Sequence, residues 1–97
     1  MLIKAGVEIS RLKREIRRSL SKVQGVLNDY QEELIITSTF DGSHGEGSLH
    51  YSNDAYDMRL PGHDVLIIVQ EIIERLGVKY DVAHEGNHIH IEWDPKS

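Results

Sequence analysis

The alternation in "HIHIEW", residues 88 to 93, restricts the fold of this chain more than any other feature. A β-strand turns successive side chains to opposite faces. Ile89, Ile91 and Trp93 therefore fall on one side, and His88, His90 and Glu92 on the other. The stretch "AYDMRL" (55–60) splits in the same way, with Tyr56, Met58 and Leu60 opposed to Ala55, Asp57 and Arg59. Two such strands call for a sheet that buries one face and gathers imidazoles and carboxylates on the other.

The remaining elements supply the cover for the apolar face. Ile9, Leu12, Ile16, Leu20, Val23, Leu27 and Tyr30 recur at steps of three and four, so residues 9 to 30 read as one amphipathic helix that Ser10 could begin. "HDVLIIVQEIIERLGV" (63–78) reads as a second helix, with Asp64 near its start and Gly77 at its end. "EELIITST" (32–39) is a short β-branched strand, and further strands are expected near 79–84 and 88–93, joined by Glu85-Gly86-Asn87. "FDGSHGEGSLHYSND" has the glycine, serine and asparagine content of a loop. The expected class is α+β: one domain, residues 1–97, with a small antiparallel sheet, two helices packed on one face and a metal site on the other.

Composition removes several classes. The 97 residues include no cysteine, so a disulfide framework and a thiolate metal site are both excluded, and any metal must be held by nitrogen and oxygen. No apolar run approaches the roughly 18 residues of a membrane span, and "MLIKAGVEIS" turns polar too soon for a signal peptide, so the expected location at synthesis is the cytoplasm. The net charge of −5 is segregated, because the seven Lys and Arg of residues 1–25 lie mostly along the first helix. The Arg11 to Lys22 face could meet an anionic partner, although most such faces are simply solvated. Without interleaved aromatics or a nucleic-acid motif, nucleic acid ranks low as a partner.

His50 enters the polar face from the loop, seven positions before Asp57. Two imidazoles and one carboxylate suit zinc in a catalytic site, where three protein ligands leave a fourth position for water. Spacing alone leaves open the alternative of surface histidines that serve solubility or local hydrogen bonds.

Here the residues carry a resemblance. "SLHYSNDAYD" resembles the S-x-H-x-x-G-x-A-x-D pattern of the zinc D-alanyl-D-alanine carboxypeptidases and L-alanyl-D-glutamate endopeptidases at Ser48, His50, Ala55 and Asp57, with Asn53 where glycine is usual. "NHIH" is similar to that family's D/E-x-x-H segment, and the order of elements agrees over nearly the whole chain. The small phage-encoded members are nearest in size, and the signalling domain of hedgehog proteins shares the zinc core without peptidase use. The resemblance implies a zinc site of His50, Asp57 and His90 and action on peptidoglycan stem peptides. A phage-lysin-like role would carry the protein to the cell wall during lysis.

Two departures bear on catalysis. The family carries its proton-transferring carboxylate three residues before the last ligand, where this chain has Asn87, and an amide cannot accept and release a proton at neutral pH. Glu85 is the carboxylate placed to substitute, and His88 matches a histidine that in some members stabilises the developing oxyanion. The family's first strand commonly ends in a substrate-binding arginine, whereas "TSTFD" offers none, leaving Arg59 and Ser48 as candidates for substrate contact. The alternative function is a zinc-binding module of the same fold that has lost catalysis and binds a protein or small-molecule partner. His44 and His63 are expected in solvent, His84 lies between rim and core, Trp93 is expected to pack with Ile89 and Ile91, and Ser48 is expected to fix the loop through a backbone hydrogen bond.

Overall fold

Burial of the apolar sides of the strands under two helices organises the molecule. The computed structural model describes residues 1–39 and 54–95. In chain order it comprises β1 (Leu2–Ile3), α1 (Arg14–Asn28), β2 (Ile35–Thr39), β3 (Ala55–Arg59), α2 (Val65–Leu76), β4 (Tyr80–Glu85) and β5 (His88–Trp93). The five strands form one sheet in the order β1-β2-β3-β5-β4. β2, β3, β5 and β4 pair antiparallel, as expected. β1 was not foreseen; it pairs parallel to β2 and makes the sheet mixed. Its two residues are too few to show a period, and the amides of Leu2 and Lys4 reach the carbonyls of Leu34 and Ile36 at 2.8 and 2.9 Å.

The core lies between the sheet and the helices. α1 contributes Ile16, Leu20, Val23, Val26 and Leu27, α2 contributes Ile68, Val69, Ile72 and Leu76, and the sheet adds Ile36, Tyr56, Met58, Ile89 and Ile91. Trp93 packs at the edge of this cluster and meets Tyr80 edge-on, with ring centroids 5.0 Å apart. His84 is exposed at the end of β4. No helix among the described residues is long and apolar enough to cross a membrane.

The first helix is shorter than its apolar period. Lys13 is extended, at φ −69° and ψ 161°, so the helix starts at Arg14 and not near Ser10. Ile9 and Leu12 keep the period through a turn closed by the Leu12 amide on the Ile9 carbonyl at 3.1 Å. The Arg17 guanidinium pins that turn by donating to the carbonyls of Ser10 and Leu12 at 2.8 and 3.2 Å. Arg14, Arg18 and Lys22 share the exposed side of α1. At the other end the chain leaves the helix through Gln31, which adopts a left-handed φ of 59°.

The second helix begins after Asp64 and ends at Gly77, whose φ of +87° is a conformation glycine adopts without a Cβ penalty. Asp64 makes no side-chain cap; its carboxylate lies 2.9 Å from His63 Nδ1. His63, exposed as expected, also reaches Glu32 at 3.1 Å, and Glu32 accepts the Gly62 amide at 2.8 Å. One glutamate thus ties the β3–α2 connection to the residues preceding β2.

One polar chain crosses the core. Tyr56 is fully buried, and its hydroxyl donates to Ser19 Oγ at 3.0 Å while Ser19 donates to the Ile16 carbonyl at 2.6 Å. Burial pushes the Tyr56 phenol well above its ordinary pKa. Replacing Ser19 by alanine strands the phenolic donor in the core and should cost about 1–3 kcal/mol. Tyr56→Phe leaves Ser19 its carbonyl partner and should cost less, and in urea denaturation the double variant should be more stable than the sum of the single losses implies. Strict additivity would show that the pair is not coupled.

Candidate metal centre

The sheet register builds the polar face row by row. Across β3, β5 and β4, Ala55 lies opposite Glu92 and Glu92 opposite Asp81; Asp57 lies opposite His90 and His90 opposite Ala83; Arg59 lies opposite His88 and His88 opposite Glu85. These are the residues that alternate with the buried Tyr56, Met58, Ile89 and Ile91. The face expected from "HIHIEW" and "AYDMRL" is therefore one surface, with Asp57 and His90 in its middle row.

A β-bulge extends that row. Ile36 pairs with Met58, but Ser38 pairs with Asp57, so the register shifts between them. The extra residue re-aims the strand. Ile36 stays in the core, while Ser38 turns to the polar face and donates to Asp57 Oδ2 at 3.1 Å. Strict alternation would have put Ser38 with Ile36, which is why sequence reasoning missed it.

The middle of the face is a chain of imidazoles and carboxylates. His90 Nδ1 lies 2.8 Å from Asp57 Oδ1 and its Nε2 lies 2.9 Å from Glu92 Oε1. His88 Nε2 lies 3.3 Å from Glu85 Oε1 and 3.6 Å from Asp57 Oδ2, while its Nδ1 is 3.0 Å from Asn87 Oδ1. Glu85, His88, Asp57, His90 and Glu92 thus form a continuous sequence across β4, β5 and β3. Arg59 is exposed beside His88. His44, Ser48 and His50 lie outside the described residues.

A further acidic group adjoins His90. Carboxylate oxygens of Asp81, Glu92 and Asp94 lie within 4.8 Å of one another, and this group could hold a metal ion. Glu92 belongs both to that group and to the His90 pair. Alternation within "YDVAHE" carries the signal for Asp81, whereas Asp94 follows the last strand and shows no period.

The donor chemistry at Asp57 and His90 fits a first-row divalent cation in kind. One carboxylate and one imidazole, already in contact across a rigid antiparallel pair, are ligand types zinc accepts, and the chain has no thiolate to compete. Comparison with known proteins finds no matching family model, no similar curated protein and no similar solved structure.

His90 is tuned by the same contacts. Burial of the ring opposes its charged form, but hydrogen bonds to Asp57 and Glu92, reinforced by both negative charges, outweigh it and raise its pKa above the usual histidine value. A pKa raised on folding means that the folded state holds the proton more tightly than the unfolded chain. The stability this supplies is complete below about pH 6.5 and is lost as pH rises through the raised folded value. His63, whose pKa is raised chiefly by its hydrogen bond to Asp64, acts with the same sign. In the presence of a chelator, wild-type stability should therefore fall more steeply above pH 6.5 than that of His90→Gln. Superimposable profiles from denaturant titrations would contradict this charge assignment.

Proposed function

We propose that the protein is a zinc-dependent, peptidase-like domain acting on peptidoglycan stem peptides, with zinc held by His50, Asp57 and His90. The observation that carries the reading is the cross-strand contact of Asp57 with His90, 2.8 Å between Oδ1 and Nδ1, on the sheet face opposite the core. The ordered motifs "SLHYSNDAYD" and "NHIH" support it by supplying a third ligand, His50, and the resemblance to zinc carboxypeptidases and endopeptidases. Zinc bound by such a set supplies a water of lowered pKa and polarises the scissile carbonyl.

The chain's own residues then take definable roles. Glu85 is the carboxylate nearest the position of the missing family base, and His88 holds it 3.3 Å away on the side of Asp57. In this reading Glu85 accepts the proton of the attacking water and returns it to the leaving amine. His88, oriented by its Nδ1–H donated to Asn87 Oδ1 at 3.0 Å, would when doubly protonated turn its Nε2–H from Glu85 to the developing negative charge. Arg59, in the same row, offers a fork for a substrate carboxylate.

A second reading rests on the same turn. Asn87 is engaged with His88 where the family has its base, and the Glu85 side chain is 55% exposed, open to water rather than enclosed beside the ligands. This favours a zinc-binding module that has lost hydrolysis and recognises a protein or small-molecule partner through the face around Arg59, His88 and Glu92.

The readings separate experimentally. Purified protein should take up about one zinc and gain thermal stability from it, because metal that binds only the folded state stabilises by linkage. His50→Ala should abolish stoichiometric uptake, and a triple variant at His50, Asp57 and His90 that kept one tight zinc would refute the ligand set. On peptidoglycan or model stem peptides followed by mass spectrometry, Glu85→Gln should abolish cleavage with zinc retained. Asn87→Asp should raise the rate by something on the order of 10²-fold. If neither the zinc-loaded native protein nor Asn87→Asp cleaves, the non-catalytic module replaces the peptidase reading.

A further inference from the structure

We propose that Glu92 and Ser38 are positioning residues of the metal centre, Glu92 by holding His90 through Nε2 and Ser38 by holding Asp57 through Oδ2. The inference rests on the proposed zinc reading and deepens it, because neither residue belongs to the motifs that suggested the site.

Three observations carry it. Glu92 is 9% exposed, and a carboxylate is buried at that depth only at a cost that a specific partner must offset. Its Oε1 sits 2.9 Å from His90 Nε2, on the side of the imidazole away from Asp57. A ligating histidine characteristically donates its second ring N–H to a carboxylate, which fixes tautomer and ring plane and makes the other nitrogen more basic. Glu92 stands in that relation to His90.

Ser38 acts on the other ligand. Asp57 has one carboxylate oxygen against His90 and the other 3.1 Å from Ser38 Oγ, so the hydroxyl fixes the rotation of the carboxyl plane. The β-bulge before Ser38 is what brings the hydroxyl there, since regular pairing would have turned it into the core. A ladder irregularity and a buried glutamate thus serve one arrangement: each central donor is gripped by one atom while its other atom faces its neighbour.

The proposal is tested by competitive zinc titration against a chelating dye on wild type, Glu92→Gln, Glu92→Ala, Ser38→Ala and Ser38→Thr, with the melting temperature of each metal-free protein measured in parallel. Glu92→Ala and Ser38→Ala should weaken zinc binding on the order of 10- to 100-fold. Ser38→Thr, which keeps the hydroxyl, should restore most of the affinity. Glu92→Gln, which keeps an acceptor for Nε2–H without the charge, should fall between wild type and Glu92→Ala.

A merely structural role would lower the metal-free melting temperature and leave the affinity of the folded protein at the wild-type value, and that result would overturn the proposal. Should the alanine variants fail to fold, Glu92→Gln still decides the role of Glu92, since wild-type affinity there would contradict it, and Ser38→Val, which suits a strand but carries no hydroxyl, decides that of Ser38 in the same way. Asp81→Asn provides the contrast within the acidic group: near wild-type affinity supports the assignment, while a loss as large as that of Glu92→Ala would seat the ion among the carboxylates and overturn it. Wild-type protein that takes up no zinc would remove the zinc reading and this proposal together, whereas uptake that is equal in all variants would remove only this one.

Discussion

The antiparallel pairing of β3 with β5 is the interaction on which the rest of the structure depends. Tyr56 against Ile91 and Met58 against Ile89 fill the inner face with side chains that are completely buried. The same register sets Asp57 directly opposite His90 on β5. A slip of β3 by one residue would send Asp57 toward the helices and Tyr56 and Met58 toward solvent, exchanging apolar burial for unpaired charge. The hydrophobic core therefore holds the ionisable pair in place, at no cost in geometry to either. Any chemistry on the outer face is inherited from packing on the inner one.

On that outer face, a proton and any bound metal would compete for the same ring. His90 carries a carboxylate on each nitrogen, an arrangement that favours the imidazolium and explains why its pKa rises although the ring is largely buried. A cation bound by Asp57 and His90 would displace a proton and take over its role in neutralising Asp57, Glu92 and the adjoining Asp81 and Asp94. Four carboxylates crowded around one histidine make the face strongly attractive to a positive charge of either kind. Ala83, the small residue across from His90 in the middle row, keeps bulk away from that centre.

Strands with a clear period of two were legible in the sequence. "HIHIEW" and "AYDMRL" yielded the two faces of the sheet, because burial on one side forces alternation that any reader can count, and the apolar steps of three and four in residues 9–30 and 63–78 yielded the two helices. The boundaries of α1 were not legible: Ile9 and Leu12 continue the apolar period through a turn, and only the extended Lys13 shows that the helix has yet to begin. β1 was missed because two residues have no period. Ser38 was missed because a bulge breaks alternation, and it did so beside Asp57, where the central row is completed. Glu92 was visible as a member of the polar face, but its grip on His90 is a matter of distance and could not be counted from spacing.

The central claim is that an ion on this face is held by imidazole and carboxylate together, through Asp57 and His90. X-ray absorption at the zinc edge of the loaded protein tests it most directly, since imidazole rings add outer-shell scattering that carboxylates lack. The account predicts a four-coordinate nitrogen and oxygen shell at about 2.0–2.1 Å with the signature of two imidazoles, one of which disappears in His90→Ala. A shell of oxygen alone, unchanged in His90→Ala, would place the ion among Asp81, Glu92 and Asp94 and contradict it.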